Sequence, residues 1–134
     1  MIFRRRREQL SVSTISSFDN SRDFAAGDKG DIVAVIMRLV QQFEHSKKQE
    51  FIALEKEFAA LEDRGVLPRG ERLLPISSRD PANTLIWQAS FKDLCAAQVA
   101  LKLFETNPEH TELANQQKHF FKDAWIEFYE VLEC

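Results

Sequence analysis

Ile32-Val33-Ala34-Val35-Ile36-Met37-Arg38-Leu39-Val40 is apolar at every position except Arg38. Branched and aliphatic side chains dominate it, so it reads as a strand. A strand with one wet face alternates polar and apolar residues. This one is apolar on both parities, which predicts burial on both faces. The fold follows from what covers each face.

Downstream, Ser46 looks like a helix N-cap, and Gln49 three residues on completes a capping-box pattern. Phe51, Leu54, Phe58 and Leu61 then form one apolar stripe, with Glu50, Glu55, Lys56, Glu57 and Asp63 mostly off it. Gly65 is placed to end the helix in a left-handed conformation. Arg72-Leu73-Leu74-Pro75-Ile76 reads as an edge strand or strand end, because Pro75 cannot donate to a ladder. The cluster Ser78-Arg79-Asp80-Pro81-Ala82-Asn83 is a turn, and Thr84–Phe91 resumes strand character. Leu85, Trp87, Ala89 and Phe91 share one of its faces.

Asp93 is the expected cap of a second helix, striped by Leu94, Ala97, Leu101 and Phe104 and widened by Val99 and Leu103. Asn107-Pro108 is a further start signal, since proline suits the first helical position. The last segment, Ala124–Leu132, favours a strand through its aromatic and branched content. Cys95, beside the second stripe, reads as a small buried hydrophobe.

Upstream, residues 1–30 hold six Arg/Lys and four Asp/Glu, whereas residues 31–134 hold twelve and seventeen. The basic excess is the run Arg4-Arg5-Arg6-Arg7, followed by serines, glycines and Asp/Asn. Residues 1–30 therefore read as a flexible extension ahead of a folded unit at 31–134. Acidic residues among the arginines argue against a transit peptide. Leu10, Val12 and Thr14 could lie along one side of a short edge strand.

The chain has 134 residues with 44% apolar and 29% charged, the balance of one globular domain. No apolar run approaches the roughly 20 residues that cross a bilayer, so no membrane role is expected. A formal charge of -3 gives no reason to expect nucleic acid. Two cysteines cannot frame a disulfide scaffold, so a reducing, cytoplasmic setting is expected. No cofactor is called for either. None of the four glycines forms a GxGxxG, a P-loop or a Gly-x-Ser-x-Gly elbow.

The order strand, helix, strand, strand, helix, helical turn, strand is two successive βαβ units. That is an α+β, ferredoxin-like split βαβ, with a four-stranded antiparallel sheet and its helices on one face. The other face should then be wet and polar, yet both parities of the first and last strands are mostly apolar. A contiguous apolar patch of that kind predicts a cover. A second copy is the simplest cover, giving a homodimer through the sheet face.

With this order, the turn Arg79-Asp80-Pro81-Ala82-Asn83 into Thr84-Leu85-Ile86-Trp87, the step Phe91-Lys92-Asp93-Leu94 and the segment Asn107-Pro108-Glu109-His110 complete a pattern. Over about residues 31–132 the chain resembles the dimeric α/β-barrel superfamily. That group includes antibiotic-biosynthesis monooxygenase-like and NIPSNAP-like domains. The resemblance implies a homodimer with a cavity between each sheet and its helices. Its members include cofactor-free monooxygenases, haem-degrading enzymes, lactone isomerases and dehydratases. No catalytic residue carries over, because the shared motifs are architectural.

Histidine suits acid–base work near neutrality. His45 sits in a polar loop, His110 follows Pro108, and His119 sits beside Phe120 and Phe121 at the expected cavity mouth. None has a metal-ligand spacing, so no metal is expected. Arg38, Gln88, Glu127 and Glu130 are polar residues inside apolar strands, and a buried charge must be paired. Either Arg38 pairs with a glutamate on a neighbouring strand, or these groups line a pocket walled by Trp87, Trp125, Tyr129 and Phe128. Two functions compete. One is an enzyme, a cofactor-independent monooxygenase or isomerase for a small apolar substrate. It would use His110, Glu127 and Arg38 for chemistry and Trp87, Gln88, Trp125, Tyr129 and His119 for binding. The other is a non-catalytic ligand-binding or structural dimer, with the arginine run as a docking segment.

Overall fold

The computed structural model describes residues 33–133. The basic run, the stretch Leu10–Thr14 and Cys134 lie outside the described residues. The elements are β1 (Val35–Phe43), a 3-10 turn (His45–Lys47), α1 (Lys48–Asp63), β2 (Glu71–Leu73), β3 (Thr84–Phe91), α2 (Leu94–Thr106), α3 (Pro108–Gln117), a second 3-10 turn (Lys118–Phe120) and β4 (Phe121–Glu130). The sheet has four strands in the order β2-β3-β1-β4, and every neighbouring pair is antiparallel. This is the ferredoxin-like split βαβ arrangement.

β1 starts and ends later than the apolar run suggests. Its ladder to β4 continues through Gln41 and Gln42 to Phe43. Hydropathy falls at Gln41, but the hydrogen-bonding register does not. The expected capping box at Ser46 does not form. Ser46 lies in the first 3-10 turn, and α1 begins behind Lys47 with no side-chain cap.

The other end of α1 behaves as expected. Gly65 takes φ +80°, its N–H donates to the Glu62 carbonyl at 3.0 Å, and the Val66 N–H donates to Leu61 at 3.0 Å. That pair of bonds is a Schellman stop. Asp93 caps α2 by accepting from the Ala96 N–H at 2.8 Å. Asn107 caps α3 by accepting from the His110 N–H at 2.8 Å, with Pro108 in the first turn.

The helices cover one face of the sheet. Leu54, Phe58 and Leu61 of α1, Leu101 and Phe104 of α2, and Leu113 of α3 pack on Met37, Leu39, Trp87 and Ile126. The Trp87 ring meets Phe104 edge to face at 5.3 Å, and Phe43 stacks on Phe51 at 4.7 Å. Val99 and Leu103 do not widen the α2 stripe: they are 64% and 37% exposed on its outer side. Cys95 is likewise exposed rather than buried. At 100° per residue, all three project from the side of α2 away from Ala97, Leu101 and Phe104.

Among the described residues no helix is long and apolar enough to cross a membrane.

Candidate functional site

The two faces of the sheet each carry a polar group. On the face without helices, register sorts the side chains into rows. Glu71, Gln88, Arg38 and Glu127 occupy one row across all four strands. Leu73, Ile86, Val40 and Trp125 form the next row, which is apolar. Ile36 faces Ser90 and Tyr129 on the other side of the polar row. This face is therefore mostly apolar but striped, with its polar residues gathered into one row. Val40 and Ile86 are nonetheless buried, at 2% and 5% exposure.

Glu127 is the hub of the polar row. Its Oε1 accepts from the Tyr129 hydroxyl at 2.7 Å, and its Oε2 accepts from Trp125 Nε1 at 2.8 Å. Arg38 Nη1 stands 3.8 Å from the same carboxylate, an ion pair beyond hydrogen-bonding distance. Its guanidinium also lies over the Tyr129 ring, 5.6 Å from the centroid, within cation–π range. Arg38 Nε is buried with no hydrogen-bond partner among the described residues. Gln88 Nε2 donates to Glu71 Oε1 at 3.3 Å. The Tyr129 pKa is raised, first by its hydrogen bond to Glu127, then by burial and by the Glu127 charge, with Arg38 opposing.

The helix-covered face holds a second group. Arg72 donates through Nε to Glu55 at 2.8 Å and through Nη1 and Nη2 to Glu62 at 3.1 and 2.7 Å. Glu62 also accepts from the Gly70 N–H at 3.0 Å and from Trp87 Nε1 at 3.1 Å. Gln117 Nε2 donates to Glu55 Oε2 at 2.7 Å. The two carboxylate side chains are 3% and 5% exposed, so they need these partners. Burial alone would lower the Arg72 pKa; the hydrogen bond to Glu62 and the charge of Glu55 outweigh it, and the net direction is upward. Glu55 was expected in water. It is buried because Phe51, Glu55, Phe58 and Glu62 fall at helical spacing on one face. That spacing, with Arg72 facing inward on β2, was the signal available in the sequence.

The sheet stands between two sets of the residues singled out from sequence. Arg38, Gln88, Trp125, Glu127 and Tyr129 come together on the open face. Trp87 is core on the opposite face, bound to Glu62, and Phe128 shares that face. His110 is also there, 1% exposed, stacked on Phe104 at 5.2 Å and against Phe58 at 4.8 Å. His110, Glu127 and Arg38 are therefore not brought together: Arg38 and Glu127 share the open face, while His110 sits on α3 among the helices that cover the other face. His119 is exposed in the second 3-10 turn. The Arg38–Glu127 pair is the cross-strand pairing expected of a charge set in an apolar strand, and it is half-buried, with the two side chains 28% and 32% exposed. Glu71 joins the row unforeseen, because only register reveals it. Among the described residues no group of His, Cys, Asp and Glu is placed to hold a metal ion.

No family model matches the chain, and no curated protein matches its sequence. Solved structures do match its fold. A NIPSNAP family protein from Agrobacterium tumefaciens superposes with a TM-score of 0.63 at 9% identity, over 75% of this chain and 87% of that one. A NIPSNAP-like domain protein from Burkholderia xenovorans gives 0.60 at 14%, over 75% and 85%. The hydroxynitrile lyase of Passiflora edulis gives 0.56 at 13%, over 77% and 97%. The chain thus shares the ferredoxin-like fold of NIPSNAP proteins, and at these identities the likeness is one of fold.

Proposed function

We propose that the chain works as a homodimer, open sheet face against open sheet face. In this reading the Arg38–Glu127 row binds a small ligand with an apolar body and a hydrogen-bond-accepting head. The observation that carries the reading is the row itself. One buried guanidinium N–H lacks an acceptor, and apolar Ile36, Val40, Ile86 and Trp125 flank it. A few polar groups in an apolar surround is the usual form of a small-molecule site.

Binding fits these groups better than catalysis. Both Glu127 oxygens already accept hydrogen bonds, which disfavours the carboxylate as a base. His110 lies beyond the sheet among aromatic rings. One fold neighbour is a hydroxynitrile lyase, so the architecture can host chemistry, but its residues are not read onto this chain. A free, exposed Cys95 supports a reducing, cytoplasmic setting.

Sedimentation equilibrium at micromolar concentration tests the assembly. The expected mass is twice 15.5 kDa, and a particle of 15.5 kDa overturns it. Benzoate titration followed by tryptophan fluorescence tests the ligand site. Arg38→Gln should weaken binding roughly tenfold or more, the scale of a charge-assisted hydrogen bond. Equal affinity in the two proteins, or no response in either, overturns the ligand reading.

A further inference from the structure

On the outer side of the helical layer, an open groove of about 510 Å³ runs between the second half of α1 and the first half of α3. Leu61 and Leu113 give it an apolar floor, and Glu57, Glu109 and Glu112 stand around it with one cation, Arg64. Arg64 is committed to Glu109, its Nη2 lying 3.2 and 3.1 Å from the two carboxylate oxygens. Among the described residues no ion pair takes Glu57 or Glu112. The groove therefore keeps a negative charge over an apolar floor. It fits a segment that offers apolar side chains next to cations.

The sequence contains such a segment outside the described residues: Met1-Ile2-Phe3-Arg4-Arg5-Arg6-Arg7. We propose that this segment docks in the groove of its own molecule, with Ile2 and Phe3 on the leucine floor and the arginines against Glu57 and Glu112. Two further observations favour this occupant. The charge balance is complementary, since residues 1–30 have a basic excess and residues 31–134 an acidic one. The geometry also suits it. α1 returns antiparallel to β1, with Phe51 stacked over Phe43 near one end. Farther along α1, Glu62 meets Trp87, the register partner of Leu39. The groove thus lies level with Leu39, midway along β1 and only four residues, about 13 Å of strand, from Val35 where that strand begins. Residues 8–32 can span up to roughly 80 Å when extended, so reach does not limit the docking.

The test uses the full chain with Phe3→benzoylphenylalanine, irradiated at low ionic strength and digested with trypsin. The expected product is a link within one chain to residues 57–64 or 103–118, summed over all tryptic peptides that cover them, because the lysine variants add cleavage sites at 57 and 112. It should fall at least several-fold in Glu57→Lys/Glu112→Lys, and also at high salt, where exposed charges are screened. It should return when Arg4–Arg7 are all changed to Glu in that charge-reversed protein. Far-UV circular dichroism checks that each variant folds, and Glu57→Gln/Glu112→Gln replaces the reversal if it does not. A link to the open-face strand 121–130, a product of twice the chain mass on a denaturing gel, no link, or a yield indifferent to the charge changes would each overturn the proposal.

Discussion

Tyr129 is the one tyrosine in the chain, so its ionisation can be followed by absorbance without interference from another phenol. Its hydrogen bond to Glu127 holds the proton and raises the pKa above the ordinary 10.0. An alkaline titration should therefore place its midpoint above 10.0, and Glu127→Gln should bring it down. An identical midpoint in both proteins would contradict the hydrogen-bonded hub. Because the folded pKa is raised, the contribution to stability is present below pH 10.0 and is lost as pH rises through the folded value. Half-exposure of the ring keeps that contribution small. Gly70 makes a second prediction. A Cβ there would land inside the Trp87 indole, which is held by Glu62 and Phe104. Gly70→Ala should cost about 1–3 kcal/mol, the usual scale of overpacking, measured by urea unfolding. The arginine–glutamate pairing was open to sequence reasoning, because a lone charge in a buried strand needs a partner. The need for glycine at position 70 was not, since it arises from a close approach made only after folding.

At the scale of elements, Arg72 ties β2 to α1 by bonding both Glu55 and Glu62. Arg72→Met would leave two buried carboxylates without their cation. The expected loss is roughly 3–5 kcal/mol in denaturant unfolding, the scale for breaking a buried pair from one side. A loss below about 1 kcal/mol would show instead that water compensates the carboxylates. The caps at Asp93 and Asn107 and the stop at Gly65 were legible, since each needs only local chemistry. The start of α1 was not: continuation of β1 to Phe43 placed Ser46 in a 3-10 turn, away from the cap position. The buried face of α1 was half legible. Its phenylalanines marked the stripe, whereas Glu55, which the sequence set off that stripe, is buried on the same side with Glu62, and Arg72 stands opposite both.

For the whole molecule, element order led to the strand order β2-β3-β1-β4 because split βαβ units have few ways to pair. The polar row did not follow from order. Its four members come from four strands and meet only through register. If the open faces pair, Ile36→Glu beside this row should shift the sedimenting particle toward 15.5 kDa while leaving the far-UV spectrum intact. An unchanged dimer would put the interface elsewhere. Asn107 has a wider consequence. Its N–H closes α2 on the Leu103 carbonyl at 2.9 Å, while its side chain opens α3 on the His110 N–H at 2.8 Å. A single residue serves as the joint, leaving no slack between the two rods. One inserted residue would rotate α3 by about 100° and swing His110 out from between Phe58 and Phe104. Length changes should be tolerated instead in the mostly exposed span 74–82, ahead of the buried Asn83 that bonds Phe43, while this elbow stays fixed in length.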